Sequence, residues 1–97
     1  MEELGFNWDD NKAARNIKKH NISFEEAISV FYDENAIEFY DPEHSDKEDR
    51  FLMIGLSWRL RVIVVSYCLR NKGLEIRIIS ARKASKKEHQ FYVGRIL

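Results

Sequence analysis

The chain is poor in the residues that staple or interrupt a fold: one cysteine, one proline and four glycines in 97 residues. A single thiol, Cys68, excludes an internal disulfide and a multi-cysteine zinc site, and reads as a buried cysteine of a cytosolic protein. The scarcity of glycine and proline predicts short turns, and there is no linker, internal repeat or low-complexity tract. No apolar run approaches the roughly 18–20 residues that span a bilayer. The opening Met1-Glu-Glu-Leu-Gly lacks the basic and apolar regions of a secretory signal. The expectation is one cytoplasmic domain over residues 1–97 with no membrane association. What is present suits a packed core: 44% of residues are apolar and 12% aromatic, too many for a disordered chain.

The formal net charge is zero, but its distribution is lopsided. Residues 1–50 hold 6 basic and 14 acidic side chains, whereas residues 51–97 hold 10 basic and 2 acidic. A neutral chain with a basic second half can show a positive face to a polyanion, or the halves can pack together and cancel.

Phe6-Asn-Trp8 reads as an extended entry segment. Asp9 or Asp10 can cap a helix over Asn11–His20, and Asn21 suits its left-handed end. Ser23-Phe-Glu-Glu26 matches a capping box, with Phe24, Ala27, Ile28 and Phe31 at helical spacing, so a second helix is predicted over 24–32. Strands are predicted over Asn35–Tyr40, Arg50–Ser57, Leu60–Leu69 and Leu74–Arg82, with a hairpin signal at Asn71-Lys-Gly73. Ser85-Lys-Lys-Glu88 opens a last helix to about Arg95, docked through Phe91 with Ile96 or Leu97. The expected class is α+β: two N-terminal helices, a four-stranded antiparallel sheet and a C-terminal helix.

Several side chains could carry chemistry. The third predicted strand is apolar on both faces, which predicts a central position, yet begins with Arg61. Arg77 lies mid-strand among apolar neighbours, and Arg82 ends that strand. Each is explained either by a salt bridge with the acidic half or by lining a cleft. Alternation places Arg77 and Arg82 on opposite faces unless a bulge intervenes. The loop Asp41-Pro-Glu-His44-Ser-Asp-Lys-Glu48-Asp-Arg50 sets a histidine, carboxylates and an arginine just before a strand. Histidine titrates near neutrality and suits proton transfer; a solvated acidic turn is the plainer reading. No metal-ligand spacing, nucleotide-cradling glycine loop or nucleophile elbow is present, so no metal and no cofactor are expected.

Taken in order, Phe6-Asn-Trp8-Asp-Asp-Asn-Lys12, Asn16-Ile-Lys-Lys-His20-Asn-Ile-Ser-Phe24-Glu-Glu-Ala27, Val30-Phe31, Asp41-Pro-Glu-His44-Ser45, Glu48-Asp-Arg50, Ile54-Gly55 and Arg77-Ile-Ile-Ser-Ala-Arg82-Lys-Ala84 resemble the signature of the BrnT toxin family over about residues 6–92. Two positions depart from it. Asn21 stands where the family often has glycine, and Leu60 precedes Arg61 where a turn glycine is common.

The resemblance implies a RelE-like fold and a type II toxin that cuts RNA and inhibits translation. It also implies neutralisation by a BrnA-like ribbon-helix-helix antitoxin, with operator DNA reached only through that antitoxin. Metal-independent cleavage by the 2′ hydroxyl needs a base, an acid and cations where phosphorane charge develops. Arg61, Arg77 and Arg82 are then the expected cations, converging in one trough. His44 is the first choice for proton transfer, Glu48 the second, with Tyr67 or Tyr92 behind. Arg50, Trp58, Lys83, Lys86, Lys87 and Tyr92 are the expected RNA contacts, Trp58 by stacking on a base. The alternative is a non-catalytic module, a decayed toxin, that binds nucleic acid or protein.

Overall fold

The computed structural model describes residues 5–97; the reading of Met1–Leu4 as lacking a signal lies outside them. The first element is a strand, β1 (Gly5–Asn7), followed by α1 (Asp10–His20) and α2 (Phe24–Ser29). Four strands follow, β2 (Ile37–Tyr40), β3 (Arg50–Leu56), β4 (Val62–Arg70) and β5 (Glu75–Lys83), and then α3 (Lys86–Ile96). They form one five-stranded sheet in the order β1-β5-β4-β3-β2. β2 to β5 make the expected antiparallel meander, and β4 sits at its centre. The four-stranded expectation is corrected by β1, which runs parallel to β5 with Asn7 opposite Arg77. Three residues are too few to show a period, and a parallel partner 70 residues away leaves no local signal.

The caps explain the helices. Asp9 accepts from the amides of Asn11 and Lys12, and Ser23 from that of Glu26. Ser85 and Glu88 cap α3 reciprocally. The predicted helix over 24–32 tightens into a 3-10 turn at Val30–Tyr32.

One face of the sheet carries α1 and α2 over a core of Ile22, Phe24, Ala27, Val30, Ile63, Val65, Tyr67, Ile76, Ile78 and Ala81. Asn16, buried on α1, binds the backbone of Ala81 through both its amide nitrogen and its oxygen. It satisfies β5 at a level that the short β1 does not reach. The other face carries α3 over Ile54, Val62, Val64 and Tyr92. The helix docks mainly through Tyr92 and Val93; of the expected residues Phe91 leans on Phe39 of β2 but stays half-exposed, and neither Ile96 nor Leu97 is buried.

Both departures from the family pattern fall at left-handed backbone. Asn21 has φ 58° and Leu60 has φ 60°. Asparagine tolerates this conformation, whereas leucine is strained there.

Candidate active site

The loop from Asp41 to Arg50 is closed on itself. Asp41 N donates to Arg50 O at 2.9 Å, the Ser45 hydroxyl donates to Asp41 O at 2.5 Å, and Arg50 N donates to Ser45 Oγ at 3.0 Å. The serine thus staples the loop across the start of β3. Within it the His44 ring contacts Asp41 Oδ2 through Nδ1 at 2.8 Å. A carboxylate only accepts, so Nδ1 carries the proton and Nε2 is left as the basic nitrogen. His44 is exposed. With Glu43, Asp46, Lys47, Glu48 and Arg50 it lines a depression of about 290 Å³. Three sequence-predicted residues, His44, Glu48 and Arg50, are therefore brought together.

Arg50 leads from this depression onto the α3 face of the sheet. It stands opposite Cys68, Cys68 opposite Arg77, and Arg77 opposite Asn7. Residues paired across strands share a face, so these four form one row. With strands about 4.8 Å apart, the Cα atoms of Arg50 and Arg77 are roughly 10 Å apart. Cys68 is fully buried beneath them, and burial holds its thiol pKa above the ordinary range. Arg77 donates to Asn7 Oδ1 at 3.0 Å. Among the described residues neither Arg50 nor Arg77 pairs with a carboxylate. Arg50 Nε is buried and donates to nothing among the described residues, so this cation holds a donor without a protein partner there.

The bulge that the alternation required is present. Ser66 pairs with Ser80 but Tyr67 with Ile78, leaving Ile79 as the extra residue in β5. Arg77 and Arg82 consequently share the α3 face, with Ser66 and Ser80 between them. Arg82 is already engaged: its guanidinium forks onto Glu88 at 2.7 and 3.0 Å. That fork, reinforced by the Ser85 amide, pulls the Glu88 pKa down to about 2.

The expected convergence of three arginines is corrected for Arg61. It lies on the opposite face, where Nε and Nη2 donate to Glu26 at 2.7 and 2.6 Å and Nη2 also donates to Asn21 O at 2.7 Å. Glu26 is only 1% exposed. The Arg61 guanidinium, opposed by burial, holds the Glu26 carboxyl below its ordinary range. This is a buried tie between α2 and the β3–β4 turn, assisted by Ser57 Oγ donating to Glu26 Oε2 at 2.7 Å.

Tyr67 is also removed from the trough. It is buried on the α1–α2 face between Phe31 and Phe51, and its hydroxyl donates to Glu38. Burial first, and then Glu38, raise its pKa far above the ordinary tyrosine range. Tyr92 is buried under α3 and donates to Asp33 Oδ2 at 2.5 Å; burial and that carboxylate raise it to about 12. Trp58 is exposed in the β3–β4 turn. From there to the Arg50–Cys68 end of the hairpin is roughly 20 Å at 3.3 Å per residue. Lys83, Lys86 and Lys87 are exposed where β5 passes into α3, beyond Arg82 from Arg77.

Two contributors were missed in the sequence. Arg70, on the same face as Cys68, donates to Glu48 Oε2 at 3.4 Å and so links β4 to the His44 loop. Asp41, which orients His44, was visible only as part of a motif. The three-residue spacing from Asp41 to His44 was the available signal, because a turn brings such residues together. Among the described residues no group of three His, Cys, Asp or Glu side chains is placed to hold a metal. No helix among them is long and apolar enough to cross a membrane.

Fold and site together define a small α+β protein in which a histidine held by Asp41 shares a depression with Arg50, at the end of a sheet face that also carries Arg77 and Arg82. Residues 8–88 match the family model described as the ribonuclease toxin, BrnT, of type II toxin–antitoxin systems, and the chain belongs to that family. The crystal structure of the Brucella abortus ribonuclease toxin BrnT is similar in fold, with a TM-score of 0.56 and 24% identity over 89% of this chain and 100% of that one. No curated protein matches the sequence. The family is one of ribonuclease toxins of type II systems, which implies a protein antitoxin as partner.

Proposed function

We propose that the protein cuts RNA by internal attack of a 2′ hydroxyl, without a metal, in the depression lined by His44, Glu48 and Arg50. The observation that carries this reading is that Arg50, which pairs with no carboxylate among the described residues, lines the same depression as a histidine whose Nδ1 is held by Asp41. His44 Nε2 takes the proton from the 2′ hydroxyl. The 2′ oxygen bonds to phosphorus, the bond to the 5′ oxygen breaks, and that oxygen leaves with a proton relayed through Glu48 or from solvent. Arg50 and Arg77 face the nonbridging oxygens where charge develops. Arg82, on the same face, is neutralised by its fork onto Glu88 and contributes less. Translation inhibition follows from loss of RNA, and a BrnA-like ribbon-helix-helix protein is the expected antitoxin.

The test is incubation of purified toxin with single-stranded RNA in excess chelator. New ends carrying a 2′,3′-cyclic phosphate support the mechanism; uncut RNA, or 3′-hydroxyl ends, overturns it. The carboxylates on Arg70 and Arg82 favour a second reading, a decayed toxin that binds without cutting. Growth arrest on expression without the antitoxin separates the two, because a binding module is tolerated.

A further inference from the structure

Beyond the RNA site, the α3 face holds an apolar groove lined by Phe39, Leu52, Ile54 and Phe91, with Lys87 and Glu88 on its rim. Phe91 is 54% exposed and Phe39 36%, and their rings meet at 5.7 Å. β2, which carries Phe39, is an edge strand. Exposed aromatic rings over an apolar floor with a charged rim have the make-up of an interaction site.

The charge around the groove selects the occupant. Lys86 and Lys87 occupy the first turn of α3, where the helix dipole is already positive and acidic residues are the stabilising choice. Two cations there intensify a positive pole that does nothing for the helix. Glu88 does not offset it for an incoming partner, because its carboxylate is taken by Arg82 and Ser85. The floor of Leu52 and Ile54 offers a base neither stacking nor a hydrogen-bond partner, and the two phenyl rings already lean on each other, which favours a polypeptide over RNA.

We infer that this groove is the docking site of the protein antitoxin, filled by an acidic amphipathic segment whose apolar side chains seat between Phe39 and Phe91 and whose carboxylates meet Lys86 and Lys87. Leu52 and Arg50 lie two residues apart on one face of β3, about 7 Å. A segment seated over Leu52 therefore reaches the depression and closes it; this covering step alone rests on the proposed RNA site.

The affinity of a BrnA-like antitoxin that neutralises the wild-type toxin is measured for full-length wild-type toxin, Phe91→Ser, the double variant Lys86→Glu/Lys87→Glu, and Trp58→Ser in the distant turn. Phe91→Ser is expected to weaken binding by about 30-fold or more, as loss of an interface anchor does, while the free variant cuts RNA at the wild-type rate. The charge-reversed variant is expected to weaken binding by about tenfold or more and to bind with less salt dependence. Trp58→Ser is expected to bind as wild type. Wild-type affinity in both groove variants, or loss of affinity in Trp58→Ser alone, overturns the assignment. So does a loss of RNA cleavage in Phe91→Ser equal to its loss of antitoxin binding, which makes the groove an RNA surface. Self-association of the toxin that Phe91→Ser abolishes, with antitoxin affinity unchanged, assigns the groove to a second copy and overturns it as well. Antitoxin affinity is read without RNA, so these outcomes stand whether or not Arg50 serves cleavage.

Discussion

Arg77 and Arg82 point from the same face of β5 although they are five positions apart, because Ile79 is an extra residue opposite the Ser66–Tyr67 step of β4. Without that bulge one of the two would be directed into the α1–α2 core. Their surroundings differ. Among the described residues Arg77 donates to an amide oxygen and to no carboxylate, whereas Arg82 is forked by a carboxylate. Arg77→Ala is expected to lower RNA cleavage about 10²- to 10³-fold, the usual effect of removing one charge-stabilising donor. Arg82→Ala is expected to lower it far less. Cleavage rates of the two purified variants under one salt condition check this ordering.

Arg61 belongs to the architecture. Removing one partner of a buried pair leaves an uncompensated charge, and Arg61→Ala is expected to cost about 3 kcal/mol. For a chain of this size that lowers the melting temperature by roughly 12–24 °C. Cleavage per folded molecule is expected to be unchanged, and calorimetry beside an activity assay measures both.

Glu88 sets part of the acid limit. Its folded pKa, near 2, lies below the ordinary glutamate value of 4.5. A depressed acid contributes stability that is fully present above pH 4.5 and is lost as the pH falls towards 2. The urea midpoint is therefore expected to decline across that window, and Glu88→Gln is expected to flatten the decline.

Leu60 is 79% exposed at φ 60°. A left-handed leucine costs about 1–2 kcal/mol, partly offset in a glycine variant by a more flexible unfolded chain. Leu60→Gly is expected to raise stability by up to about 1 kcal/mol, read from denaturant unfolding.

The meander, the helix caps and the central place of β4 were legible because they follow from local signals: alternation, capping boxes and two apolar faces. The His44–Glu48–Arg50 loop was legible because it is continuous in sequence. The rest depended on long-range geometry. β1 finds its partner about 70 residues away. Arg61 and Tyr67 each looked available in the sequence, yet Glu26 and Glu38, which claim them, lie 35 and 29 residues away. Strict alternation separated Arg77 from Arg82, since no composition rule marks Ile79 as the bulge. Phe91 looked like the docking residue of α3, but helix rotation was set by Tyr92 reaching Asp33, 59 residues distant.

Single-turnover cleavage of RNA by Arg50→Ala in excess chelator, with its unfolding free energy measured alongside, probes the site most directly. Arg50 is expected to act on the phosphate, so the rate should fall about 10²- to 10³-fold while stability stays within about 1 kcal/mol of wild type. Cutting at the wild-type rate by a folded Arg50→Ala protein would contradict the placement of the scissile phosphate beside His44.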